Sequence, residues 1–165
     1  MTLYKKILVP YDFSAPSNKA LNLAIDLANL CRPKQAPAEI NLLYVVEEIN
    51  VPPSFEYGMK MSHTSLEEFK TTEEYLKEKY HDMKSNALKM LGEKKKNFEN
   101  RGIFISTHVL LGHPVDKITE FVISEEVDLI VMGNTGLRGL QRIKTLGSVS
   151  RGVTENAKCH VMLVH

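Results

Sequence analysis

Five short apolar runs recur along this chain, and every gap between them is long enough to hold a helix. Ile7 to Val9, Ile40 to Val46, Ile103 to Leu110, Leu129 to Met132 and Cys159 to Val164 read as strands. Brief continuous apolar runs bounded by turn residues suit a parallel sheet covered on both faces. Strands that alternate with helical crossovers predict an open five-stranded parallel α/β sheet with helices on both sides and right-handed connections. At 165 residues the chain fits one such domain, residues 1–165, without staples.

The intervening segments carry helical signals. Ser14, ahead of Ala15-Pro16, is a candidate N-cap. From there to about Leu30, Ala20, Ala24, Leu27 and Ala28 share a face, with Leu23 beside them. Leu66 to about Asn100 carries a stripe of Leu76, Tyr80, Met83, Ala87, Met90, Leu91 and Phe98. The Lys94-Lys95-Lys96 run is expected to be a solvated helix end. Val115 to Glu125 sets Ile118, Phe121 and Val122 on one side, and a shorter helix runs from Gly147-Ser148 to about Asn156. Between Ile49 and Ser65 no period holds, which predicts a long loop. Its Phe55, Tyr57, Met59 and Met61 either cover a ligand or partner or anchor the loop. His108 has no second histidine at metal spacing and reads as an edge-strand polar residue.

Charge narrows the partners. Twenty-one Lys and Arg against twenty Asp and Glu leave a formal charge of +1, with no broad basic field for nucleic acid or a membrane surface. Cys31 and Cys159 lie far apart without ligand spacing, so reduced packing thiols are expected. The first apolar run is too short for a signal-peptide core or a membrane span, which predicts a cytoplasmic protein.

The chemistry concentrates where strands end. In open parallel sheets ligands collect beyond the carboxyl ends of the strands, and Asp12, Val45 and Gly133 all fall there. After Leu129 to Met132 come Gly133, Gly136 and Gly139, then Gly147-Ser148-Val149-Ser150 at a helix start. An apolar strand running into a glycine loop and a helix N-terminus is either an anion cradle or a plain turn. Gly147-Ser148 is no Gly-Lys-Ser/Thr, so a Walker-type phosphate loop is excluded.

The whole chain resembles the universal stress proteins. Lys6-Ile-Leu-Val-Pro-Tyr-Asp-Phe-Ser14 is similar to that family's first strand, Leu43-Tyr-Val-Val-Glu47 to its second and Asp128-Leu-Ile-Val-Met-Gly133 to its fourth. Gly133-Asn-Thr-Gly136 followed by Gly147-Ser148 is similar to its ATP-binding signature. Ten residues, Leu137 to Leu146, separate the two parts here, one more than the family spacing. The resemblance implies a Rossmann-like fold with strand order 3-2-1-4-5 and a homodimer paired through the last strand. Cys159 to Val164 would otherwise be an unpaired edge.

It also implies adenine at Asp12 and Val45, ribose at Pro10 and Gly133, and phosphates at Gly136, Gly147, Ser148, Val149 and Ser150. Tyr11, Met132 and Thr135 complete the implied nucleotide-binding set. The ring of Tyr11, bulkier than the residue common there in the family, either stacks on a base or points into the sheet. Arg138, Arg142 and Lys144 either reach phosphate or form a solvated basic face. The expected ligand is ATP, with AMP as the alternative and Mg²⁺ or Mn²⁺ held through the phosphates. The expected role is a nucleotide-dependent switch in a stress response, acting on an unknown protein partner with at most weak hydrolysis. The alternatives are a slow nucleotide hydrolase or transferase using Asp12 and His113, and a nucleotide-free interaction scaffold.

Overall fold

The computed structural model describes residues 4–30, 38–48, 72–99, 103–136 and 146–165. The loop 49–65, the stretch 66–71, Cys31, and Arg138, Gly139, Arg142 and Lys144 lie outside them. Five strands, β1 (Lys6–Pro10), β2 (Glu39–Val46), β3 (Phe104–Leu111), β4 (Leu129–Gly133) and β5 (His160–Val164), form one parallel sheet in the order β3-β2-β1-β4-β5. Among the described residues four helices cover it: α1 (Ala15–Leu30), α2 (Thr72–Glu99), α3 (Pro114–Ser124) and α4 (Ser148–Asn156). Fold class and strand order are as the sequence implies.

Alternation along the strands divides the core. Ile7, Val9, Ile40, Leu42 and Val131 face α1 and α2, where they meet Leu21, Ile25 and Leu91. Leu8, Leu43, Ile130 and Met132 face α3 and α4, where they meet Ile118, Phe121, Val122 and Val153. Because β1 has helices on both sides and strands at both edges, Ile7, Leu8 and Val9 are all fully buried. Each contributes roughly 1.5–3 kcal/mol by leaving water.

Ser14 caps α1 as its sequence predicts: its hydroxyl accepts the Ser17 N–H at 3.2 Å. The buried face of α1 is rotated from the expected one. Ser17, Ala20, Leu21, Ala24, Ile25 and Ala28 are buried, while Leu23 and Leu27 are only partly so. Small alanines let α1 approach the sheet, and the larger Leu21 and Ile25 fill the flank.

Along α2 the expected stripe is buried at Ala87, Leu91 and Phe98, whereas Met83 and Met90 are 37% and 48% exposed. The helix covers the β2–β3 side of the sheet, so only part of its stripe meets a partner. Lys94 departs from the expected solvated helix end: its ammonium donates to Asn18 Oδ1 on α1. His108, on edge strand β3, places Nε2 2.8 Å from Asn41 Oδ1 and its ring edge-on to Phe121. This gives a partner to the oxygen of Asn41, a buried amide flanked by Ile40 and Leu42.

Candidate nucleotide cleft

The carboxyl ends of β1, β2 and β4 and the starts of α1, α3 and α4 surround a cleft of about 600 Å³. That is the size range of small-molecule sites. All twelve residues singled out from the sequence line it: Pro10, Tyr11 and Asp12 from β1 and its turn, Val45 from β2, and Met132, Gly133, Thr135 and Gly136 from β4 and its loop. Gly147, Ser148, Val149 and Ser150 from the start of α4 complete the set.

Close approach explains two of the glycines. A β-carbon on Gly133 would come within 2.6 Å of Pro16 Cβ, so β4 passes tightly against the first turn of α1. One on Gly136 would sit 2.7 Å from Asp12 Oδ2, which brings the glycine loop against the β1 turn. Asp12 in turn accepts the Ser14 N–H at 3.1 Å, so its carboxylate is oriented by the chain that follows it.

The end of the long spacer returns to the loop it left. Gly147 N–H donates to Asn134 carbonyl oxygen at 2.8 Å, and a β-carbon on Gly147 would lie 3.4 Å from Thr135 Cα. Gly147 therefore meets the glycine loop, with ten residues between it and Gly136 in the sequence. The first hydrogen bond of α4 runs from Arg151 N–H to Gly147 carbonyl oxygen at 3.0 Å. The N–H groups of Ser148, Val149 and Ser150 precede this bond, in the first turn that carries the positive end of the helix dipole.

The two hydroxyls there differ. Ser148 is exposed, but Ser150 is buried, with its Oγ 2.7 Å from Asn134 carbonyl oxygen and 3.0 Å from that of Gly147. The Ser150 side chain therefore builds the cradle rather than projecting from it.

Tyr11 follows one of the two readings left open. Its side chain is buried, with the ring edge-on to Phe13 at 5.0 Å and the hydroxyl donating to Asn18 Oδ1 at 2.7 Å. Burial first, then the Asp12 charge, pushes the phenol pKa up, against a smaller opposing effect of Asn18, so it stays a donor.

Glu47 and Glu48 stand at the mouth beyond β2, and Ser17, Leu43, Tyr44, Met83, Pro114 and Ile118 also line the walls. Pro114 and Ile118 were legible in principle, since a helix that follows a strand starts at the same rim. Met83 carries no such signal, because it reaches the cleft from a long crossover. His113 is not among the lining residues; its ring is exposed and lies 3.5 Å from Asp116. Charged side chains lining the cleft among the described residues are acidic: Asp12, Glu47 and Glu48. Among the described residues no group of three His, Cys, Asp or Glu is placed to hold a metal ion. No described helix is long and apolar enough to cross a membrane.

The sequence pattern of the universal stress protein family matches residues 3–165. The chain belongs to that family. It is 39% identical over 162 residues to a universal stress protein of Methanocaldococcus jannaschii, covering 98% of this chain and 82% of that one. Among solved structures, the M. jannaschii hypothetical protein MJ0577 superimposes with a TM-score of 0.76 at 28% identity, covering 98% of this chain and 96% of that one. A universal stress protein of Arabidopsis thaliana, solved with AMP bound, has a TM-score of 0.57 at 21% identity, covering 97% and 90%. At that distance it shares the universal stress protein fold with this chain.

Proposed function

We propose that this universal stress protein binds an adenine nucleotide, ATP or AMP, in the cleft and serves as a nucleotide-dependent switch in a stress response. The observation that carries the reading is the meeting of the glycine loop, the N-terminal turn of α4 and the Asp12 turn around one cleft. Backbone N–H groups at a helix start are matched to phosphate, and the apolar walls at Val45 and Met132 suit the faces of a base. The AMP bound by the Arabidopsis protein supports a cleft of this kind in this fold.

On this reading Asp12 and Val45 border the adenine, Pro10 and Gly133 the ribose, and Gly136 with residues 147–150 the phosphates. Tyr11 holds the turn from behind. Mg²⁺ or Mn²⁺ accompanying ATP takes its oxygens chiefly from phosphate and water, as Mg²⁺ commonly does, with Asp12 the carboxylate beside Gly136. The half-buried edge of β5, Val161 to Val164, supports a homodimer that pairs this strand with a second copy.

Mass spectrometry of freshly purified, denatured protein identifies any nucleotide carried along, and calorimetric titration with ATP and Mg²⁺, or with AMP, measures binding. Saturable heat with a rise in melting temperature is expected. No heat and no thermal shift at millimolar nucleotide refutes the reading and leaves the scaffold alternative. Turnover of ATP that is lost in Asp12→Ala would instead favour the hydrolase.

A further inference from the structure

Lys94 stands where the pattern of α2 asks for an apolar residue. Leu91, Lys94 and Phe98 are three and four residues apart and share one helix face, and both Leu91 and Phe98 are buried. A cation drawn into such a face needs partners. The ammonium donates to Asn18 Oδ1 and lies 5.9 Å from the centre of the Tyr11 ring, within cation–π range. The same Asn18 oxygen accepts the Tyr11 hydroxyl, while Asn18 Nδ2 donates to the carbonyls of Ser14 at 2.8 Å and Phe13 at 3.4 Å. One amide therefore joins cleft-lining Tyr11, the turn after it, and α2.

That turn needs holding. Phe13 has φ of 65°, a left-handed conformation that a β-carbon disfavours. Its ring stands between Tyr11 at 5.0 Å and Tyr44 at 5.6 Å, and both tyrosines line the cleft. Asp12 sits in the same turn, against Gly136. About three helical turns before Lys94, α2 also supplies Met83 to the cleft wall.

The geometry points to Lys94 as a positioning residue for the cleft: through Asn18 and the Tyr11 hydroxyl it straps α2 to the β1–α1 turn and fixes the wall formed by Tyr11 and Asp12, with Phe13 packed against Tyr11. Lys94 acts at a distance, by setting where Asp12 and the aromatic wall stand. The ligand arm of its test rests on the nucleotide reading; the strap does not.

Lys94→Met and Lys94→Arg in the full chain test both parts. Hydrogen–deuterium exchange of the ligand-free protein reads the strap. In Lys94→Met the amides between residues 11 and 18 exchange about tenfold faster than in the wild type, while those of β4 and α3 keep their rates. Lys94→Arg, which keeps the charge and the donors, stays within about twofold. Unchanged exchange at residues 11–18, or an equal rise throughout the sheet, overturns the inference.

Calorimetric titration with AMP, or with ATP and Mg²⁺, reads the positioning. Lys94→Met weakens binding about three- to tenfold and Lys94→Arg restores it. Adding Tyr11→Phe to Lys94→Met weakens binding by less than the product of the two single effects, because both cut one network. Wild-type affinity in Lys94→Met overturns the positioning role. A wild type that binds no nucleotide refutes the nucleotide reading, and the exchange data then decide the strap alone.

Discussion

Gly133 and Gly136 belong to one short loop but are glycine for different reasons, and alanine at each position separates them. A β-carbon on Gly133 would lie 2.6 Å from Pro16 Cβ, 3.0 Å from the Pro16 carbonyl carbon and 3.2 Å from the Ser17 nitrogen. Carbon atoms settle at about 3.5–4.0 Å, so β4 and the first turn of α1 would have to part by roughly 1 Å. Neither side yields easily, since Val131 and Ala20 nearby are fully buried. Overpacking of this kind costs about 1–3 kcal/mol, and the entropic advantage of alanine over glycine offsets about 0.4–1 kcal/mol. A net loss of about 1.3 kcal/mol lowers Tm by roughly 3–5 °C in a domain of this size. Among the described residues, the β-carbon at Gly136 would meet the Asp12 carboxylate, at 2.7 Å to Oδ2 and 3.9 Å to Cγ. Turning the carboxylate aside strains its bond from Ser14 N–H at a cost of about 1 kcal/mol, which the entropic advantage of alanine over glycine largely offsets, so Gly136→Ala melts close to the wild type. The displaced Asp12 should instead weaken nucleotide binding about tenfold, or roughly 1.4 kcal/mol. Thermal melts followed by far-ultraviolet circular dichroism, paired with calorimetric titration, measure both. A Gly133→Ala protein that melts with the wild type, or a Gly136→Ala protein less stable than Gly133→Ala, refutes the assignment of one glycine to packing and the other to the site.

Other outcomes follow from single contacts. Ser14→Ala removes the cap on Ser17 N–H and should cost about 1 kcal/mol, seen as a lower urea midpoint with an unchanged slope. Ser150→Ala removes the hydroxyl that joins Asn134 and Gly147 and should cost about 1 kcal/mol by the same assay, with weaker nucleotide binding by titration. Burial holds the His108 pKa below 6.5, with Glu125 and Glu39 opposing, so the unfolded chain takes up this proton first. The stability tied to neutral His108 is present above pH 6.5 and is lost as pH falls from there toward the folded pKa. His108→Gln should therefore flatten the fall in urea-measured stability between about pH 7 and pH 5.

The strands were legible because a parallel sheet buried on both faces leaves a continuous apolar signature; each observed strand overlaps its apolar run, with ends shifted by a residue. The face of α1 was not, because it packs on β1 and β4 together, and period alone cannot tell that Leu21 and Ile25 go under while Leu23 and Leu27 stay at the edge. Lys94 misled for a related reason. Three lysines in a row look solvated, yet the one at stripe spacing from Leu91 and Phe98 turns inward. The residues of the cleft were legible wherever a strand end or a glycine marked them. Met83, Glu47 and Glu48 were missed as wall residues because their place depends on how α2 and the end of β2 meet in space. Ser150 looked like a phosphate donor, and only its short contact to Asn134 shows that its hydroxyl is already engaged.

The position of β1 also sets a timetable. It precedes the other strands of this sheet in the sequence and lies between β2 and β4. The contact of Lys5 N–H with Asp128 Oδ2 at 2.8 Å spans 123 residues of sequence. At about 5–20 residues per second, a growing chain makes up that separation in roughly 6–25 s. Until then one side of Ile7-Leu8-Val9 offers its backbone groups and apolar side chains to anything nearby, as an open sheet edge does. A chain cut short before Leu129 would leave this most buried strand as an edge, so truncation near the end of the chain threatens its centre first.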